Sequence, residues 1–115
     1  MAENRILLVD DEALVRDAIA ASLRARGYHV STAASAEEAL AGNKTLPDLL
    51  VADVTLPGRS GAELAGELRH QNPNLPVILL SGFPDAARVE RAVFLQKPFL
   101  PSELLDVVSA TLGSA

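Results

Sequence analysis

Apolar residues fall along the chain in short continuous runs, separated by longer stretches in which they recur every third or fourth position. Three runs, Ile6–Val9, Leu49–Ala52 and Val77–Leu80, have strand length, and their lack of alternation suits strands covered on both faces. After the first, Val15, Ala18, Ile19 and Leu23 make a helical stripe broken only by Ser22, and Gly27 is placed to end it. A second strand is expected over Tyr28–Ala33, and Ser35 with Glu38 forms the S-x-x-E signature of a helix start. Pro47 cannot lie inside a helix and precedes the third strand, Leu49–Asp53. A helix over Gly61–Gln71 turns Leu64 and Leu68 inward and is closed by Pro73 and Pro76. The fourth strand is Val77–Leu80. A short helical piece near Asp85–Ala92 and a fifth strand, Val93–Gln96, follow. The last helix starts near Pro101 and buries Leu104, Leu105, Val108 and Leu112.

Five strands and five helices in strict alternation predict an α/β fold, and right-handed crossovers place helices on both faces of an open parallel sheet. The length, 115 residues, suits one domain over 1–115, and 49% hydrophobic residues suffice for a core without a staple. The chain has no cysteine, hence no disulfide framework or thiolate metal site. Its polar start does not read as a signal peptide, and no run reaches the roughly 18 apolar residues of a membrane span, so a cytoplasmic location is expected. A net charge of −5 disfavours nucleic acid as a partner.

In such sheets the site lies beyond the carboxyl ends of the strands. Strand one delivers Asp10 and Asp11, strand three Asp53, strand four Ser81 and strand five Lys97, whereas strand two offers only Ala33 and Ala34. Each has an ordinary explanation when taken singly. Asp11 or Glu12 reads as a helix cap, Asp53 as the start of a turn, Ser81-Gly82 as loop, and Lys97 as a solvated lysine. Together they are harder to dismiss, because three converging carboxylates repel one another unless cations compensate. Lys97 supplies one positive charge and a divalent ion would supply two. With no cysteine, and His29 and His70 elsewhere, the ligands are all oxygen, which favours magnesium. Acids, metal, lysine and hydroxyl suit phosphoryl transfer.

At these positions, and over essentially its whole length, the chain resembles the receiver domain of two-component response regulators. The markers are Asp10-Asp11, Asp53 with Leu56-Pro57-Gly58 and Gly61, Ser81-Gly82, and Lys97-Pro98-Phe99. The resemblance implies a flavodoxin-like, doubly wound sheet of order 2-1-3-4-5. It implies that Asp53 is the phosphoacceptor, taking the group from the phosphohistidine of a histidine kinase or phosphotransfer protein to control a downstream protein target. Asp11, Asp53 and the Thr55 backbone carbonyl would ligate Mg²⁺, with Asp10 acting mostly through water. Lys97 would pair with phosphoryl oxygens and the Ser81 hydroxyl would follow them. Phe94 holds the place of the switch aromatic, although from the residues alone it is equally a core residue of strand five. Such a domain is no enzyme beyond its own phosphorylation and dephosphorylation.

Three departures stand out. Ser81 and Lys97 are only 16 positions apart, which implies a shortened fourth helix, as in receivers attached to hybrid sensor kinases. A free-standing regulator and a module of a larger protein both stay open. Leu100 occupies a position where a Ser or Thr cap is expected, and Phe94 lacks the hydroxyl of a tyrosine. The segment Phe83–Ala92, with little apolar surface, is expected to be the least ordered. Other functions fit less well. A flavin or nucleotide site would put a phosphate-cradling loop where Asp10-Asp11-Glu12 stands. A docking module without phosphotransfer could have lost an acid or the lysine, and a hydrolase with an aspartyl-phosphate would usually carry an acid at position 55. No output segment follows Leu112, so output is expected through docking or through a domain outside this chain.

Overall fold

A computed structural model of the chain describes residues 4–42, 46–82 and 89–113. The elements are β1 (Arg5–Val9), α1 (Ala13–Ala25), β2 (His29–Ala33), α2 (Ala36–Gly42), β3 (Leu49–Asp53), α3 (Gly61–Gln71), β4 (Val77–Ser81), β5 (Ala92–Gln96) and α4 (Pro101–Leu112). All strand pairs are parallel and the order is β2-β1-β3-β4-β5. Four helices lie among the described residues, not five. The helix predicted over Asp85–Ala92 falls mostly on residues 85–88, outside them, as does most of the segment expected to be least ordered; of its remainder, Glu90 and Arg91 turn directly into β5 at Ala92.

β3 and β4 are buried at every position, as central strands between two helical layers must be. Alternate residues feed two separate cores. Leu7, Val9, Leu50, Ala52, Val77 and Leu79 pack with α2 and α3. Ile6, Leu8, Leu49, Val51, Ile78 and Leu80 pack with α1 and α4. The edge strands β2 and β5 are partly exposed, which explains their weaker apolar signal. In α1 the inward stripe is Ile19, Ala20 and Leu23; Ala18, expected inside, is exposed and lines a groove with Val15. Gly27, at φ +92°, ends the helix in the left-handed region. The Glu38 amide donates to Ser35 Oγ at the start of α2, and Ser60 with Glu63 makes a full capping box for α3. α4 has no side-chain cap at Leu100, but the Leu100 amide donates to Glu103 Oε1 at 2.8 Å and Pro101 opens the first turn.

Two arginines tie the end of α3 to the start of β5. Arg69 donates from Nε and Nη2 to the Leu75 carbonyl, from Nη1 to that of Glu90 and from Nη2 to that of Arg91. Arg91 donates back to Asn74 Oδ1 and the Pro73 carbonyl. Arg91 sits at φ +54°, a left-handed conformation that costs a bulky residue about 1–2 kcal/mol. Hydrogen bonds from charged donors offset that cost. Replacing Arg69 with Ala is therefore expected to destabilise the fold by about 1–3 kcal/mol, since it strips the donor from three carbonyls. Urea unfolding of wild type and Arg69→Ala checks this; equal midpoints would show that water replaces the clamp at no cost.

Candidate functional site

Val9 is in register with Ala52, so the residues that follow, Asp10 and Asp53, leave neighbouring strands side by side. Asp53 pairs with Leu80, placing Ser81 one step beyond, and Ser81 pairs with Gln96, placing Lys97 one step beyond that. The predicted residues from strands one, three, four and five thus meet at one edge of the sheet. Asp10, Asp53 and Ser81 are 0%, 6% and 5% exposed, while Asp11 is exposed. One carboxylate oxygen from each of Asp10, Asp11 and Asp53 lies within 4.8 Å of the others.

Asp10 and Asp53 are built alike. Asp10 Oδ1 accepts from the Glu12 amide and Asp53 Oδ1 accepts from the Thr55 amide, each two residues on and each at 2.9 Å. The turn-starting reading of Asp53 therefore holds for one oxygen only. The other oxygens face Lys97, whose Nζ is 2.5 Å from Asp53 Oδ2, 3.6 Å from Asp10 Oδ2 and 3.8 Å from Glu12 Oε1. The capping reading of Asp11 and Glu12 does not hold: Glu12 occupies the N-cap of α1 with no side-chain cap bond, and Asp11 precedes it. Lys97 is held by its own amide, which donates to the Ser81 carbonyl at 2.8 Å. Phe94 is half-buried and packs on the α2/α3 side of the sheet. Thr55 is exposed at the mouth of the site.

Gly61 was marked in the sequence but not for its steric reason, and the contacts made by Glu12 and Arg16 were not read there. A Cβ on Gly61 would lie 2.2 Å from the Asp53 carbonyl oxygen, so α3 can begin against the end of β3 only with glycine there. Glu12 adds a fourth carboxylate near Lys97. Arg16, on α1, donates from Nη1 to the Asp10 carbonyl at 2.9 Å; its position four residues after Glu12 was the available signal.

Electrostatically the site is unfinished. Burial raises the pKa of Asp10 above 3.8; the Glu12 amide and Lys97 pull the other way, and Asp53 and Glu12 reinforce the rise. Burial alone would lower Lys97, but its hydrogen bond to Asp53 and the charges of Asp10, Asp53 and Glu12 outweigh that and leave it raised. Asp10 Oδ2 is buried without a hydrogen-bond partner. The three aspartates alone outnumber the one ammonium by two negative charges, and Glu12 adds to the excess, so a divalent cation with oxygen preference would offset most of it. The donor set, all carboxylate and carbonyl oxygen, fits such an ion.

A profile of the response regulator receiver domain family matches residues 6–109, and the chain belongs to that family. The C4-dicarboxylate transport transcriptional regulatory protein DctD of Pseudomonas aeruginosa is 36% identical over 118 residues, covering 96% of this chain and 26% of that protein. The alkaline phosphatase synthesis transcriptional regulatory protein PhoP of Bacillus subtilis is 36% identical, covering 94% of this chain and 48% of that protein. The chain thus spans between a quarter and a half of these curated relatives. Among solved structures, the receiver domain of the hybrid histidine kinase CckA aligns at TM-score 0.82 with 40% identity, covering 94% of this chain and 98% of that one. The chemotaxis response regulator CheY4 of Vibrio cholerae aligns at 0.84 with 29% identity, covering 96% and 99%. Membership of this family makes the chain a phosphorylation-activated switch of two-component signalling. Among the described residues, no helix is long and apolar enough to cross a membrane.

The raised Asp10 pKa has a definite sign. Between 3.8 and the raised folded value the native state binds more protons than the unfolded state, so stability falls as pH rises through that window. In EDTA at pH 7, Asp10→Asn is expected to melt above wild type, with the gap closing as pH falls towards 4. Parallel melting curves at all pH values would show that Asp10 carries no burial penalty.

Proposed function

We propose that the chain is a single receiver domain over 1–115 that takes a phosphoryl group onto Asp53 in a Mg²⁺-dependent reaction. The donor is the phosphohistidine of a cytoplasmic histidine kinase or phosphotransfer protein, and the response acts on a downstream protein. The observation that carries this reading is the split use of the Asp53 carboxylate. Oδ1 is anchored by the Thr55 amide, while Oδ2 meets only a mobile-stemmed cation, Lys97, and can be released to attack phosphorus. The P–O bond forms as the P–N bond breaks, the electron pair of that bond stays on the nitrogen, and the donor imidazole, already protonated on its other nitrogen, leaves as the neutral ring; the product is an acyl phosphate. Asp11, Asp53 and the Thr55 carbonyl would hold Mg²⁺ directly, with Asp10 Oδ2 acting through water. When bound, the ion neutralises phosphoryl oxygens and aligns them for transfer. Lys97 passes from Asp53 Oδ2 to a phosphoryl oxygen, and Ser81, at the end of β4, takes another. A groove of about 510 Å³ between α1 and the β5–α4 loop shares Glu12 and Lys97 with the site. Its apolar wall, with Val15, Ile19 and Phe99, is suited to seat the helix that carries the donor histidine beside Asp53.

Acetyl phosphate with Mg²⁺ is expected to add one phosphoryl group to wild type by intact mass, and none in EDTA. Asp53→Ala is expected to remain unmodified. A variant that accepts the group as readily as wild type would remove Asp53 from the role.

Lys97 serves the response more than the uptake. Lys97→Ala is expected to be phosphorylated, slower by an order of magnitude or so if one charge-assisted contact of about 1.5 kcal/mol is lost from the transition state. Amide NMR shifts on phosphorylation at Ser81 and Phe94 are expected to disappear in this variant; shifts equal to wild type would exclude Lys97 from the coupling.

A further inference from the structure

Asp10 is fastened at every polar group but one. Its amide donates to the Ala33 carbonyl at 3.1 Å, which ties it to the end of β2. Its Oδ1 accepts from the Glu12 amide and its carbonyl accepts from Arg16 Nη1, both at 2.9 Å. What remains is Oδ2, buried and unpartnered, 3.6 Å from Lys97 and grouped with Asp11 and Asp53. Arg16 is half-buried, and its own amide is fixed by the Glu12 carbonyl at 2.9 Å, so the guanidinium reaches back from a rigid turn of α1. Asp10 lies past the last β1–β3 pair, at Val9, and Arg16 provides its carbonyl with a donor there. Nothing in phosphoryl transfer itself requires an arginine at this place.

We infer that Arg16 is a positioning residue: by holding the Asp10 carbonyl it fixes the Asp10–Glu12 turn and so sets the affinity of the acidic cluster for a divalent cation. The inference rests on the cation-site reading given above. The guanidinium does not touch the ion or the reacting atoms. It acts by keeping the Asp10 and Asp11 carboxylates converged before the ion arrives, so that binding does not have to order the turn. Its charge also offsets part of the repulsion among the acids, but on the backbone side, away from the oxygens that face Lys97.

The test compares wild type, Arg16→Met, which keeps an unbranched stem without a donor, and Arg16→Lys, which keeps a donor and the charge. Mg²⁺ affinity is measured by calorimetry on the unphosphorylated protein, and exchange of the Glu12 amide is measured in EDTA. Arg16→Met is expected to bind Mg²⁺ roughly tenfold more weakly, the equivalent of about 1.4 kcal/mol. Its Glu12 amide should exchange faster, and Arg16→Lys should recover most of both effects. Equal Mg²⁺ affinity in Arg16→Met and wild type would overturn the inference. So would a loss in both variants with Glu12 exchange unchanged, because the turn would then not be what Arg16 holds. Should Arg16→Met fail to fold, Arg16→Lys and Arg16→Gln carry the same comparison. Failure of the cation reading looks different: wild type itself would then bind no Mg²⁺ at millimolar concentration, and Asp11→Ala would match it.

Discussion

Two carboxylates stand side by side at the end of one sheet, with almost no water around them, and the Lys97 ammonium lies between their free oxygens. Much of the molecule follows from making that tolerable. Asp10 and Asp53 each hand one oxygen to the amide two residues on, which fixes the ring of the turn and aims the second oxygen at the cation. The same arrangement requires α3 to start against the Asp53 carbonyl, where a side chain would collide, and so requires Gly61. It also requires β5 to end level with β4, because Lys97 reaches the acids from a backbone hydrogen-bonded to Ser81.

The balance is incomplete in the physical sense that one buried oxygen, 3.6 Å from Lys97, has no hydrogen-bond partner and the clustered carboxylates outnumber the ammonium among them. A core built for stability would remove such a group, since an unsatisfied buried acceptor costs about 1–3 kcal/mol. Retaining it creates a place where cation and anion can be exchanged at low cost. Burial would lower the pKa of the Lys97 ammonium, but its hydrogen bond to Asp53 and the charges of Asp10, Asp53 and Glu12 hold it above its ordinary value. Its pairing therefore contributes stability throughout neutral pH and is lost only as pH rises through its folded value, above 10.5.

Most of the architecture was legible in sequence because the central strands are buried on both faces and so appear as unbroken apolar runs. β3 was placed to the residue, and α3 likewise, since glycine at one end and two prolines at the other punctuate it. The acids, Ser81 and Lys97 were legible as a set because strand ends in a parallel sheet share one edge. What resisted reading depended on contacts between distant segments. The Arg69–Arg91 clamp spans 22 positions and ends on carbonyls, which have no residue code. The inward face of α1 was misjudged at Ala18 because alanine is equally at home inside or at a groove wall. Glu12 does occupy the N-cap of α1, but its carboxylate makes no capping bond and instead lies 3.8 Å from Lys97.

Strand β5 is where the site and the rest of the domain are mechanically joined. It is an edge strand paired only with β4, over Val77↔Ala92 to Ser81↔Gln96. At its start, Arg69 holds the Glu90 and Arg91 carbonyls to the α3–β4 turn. At its end, Lys97 is held by the Ser81 carbonyl and by Asp53. A strand pinned at both ends cannot answer a displacement of Lys97 by sliding in register, because that would break the arginine clamp and every ladder hydrogen bond at once. Any pull on Lys97 would instead be taken up between the two anchors, by rotation of side chains and of the strand about its own axis. Phe94 sits in that interval, half-buried against the α2/α3 core, between an exposed Val93 and a partly buried Leu95. Its ring thus has an apolar seat on one side and a partly exposed face on the other, on a strand anchored at both ends.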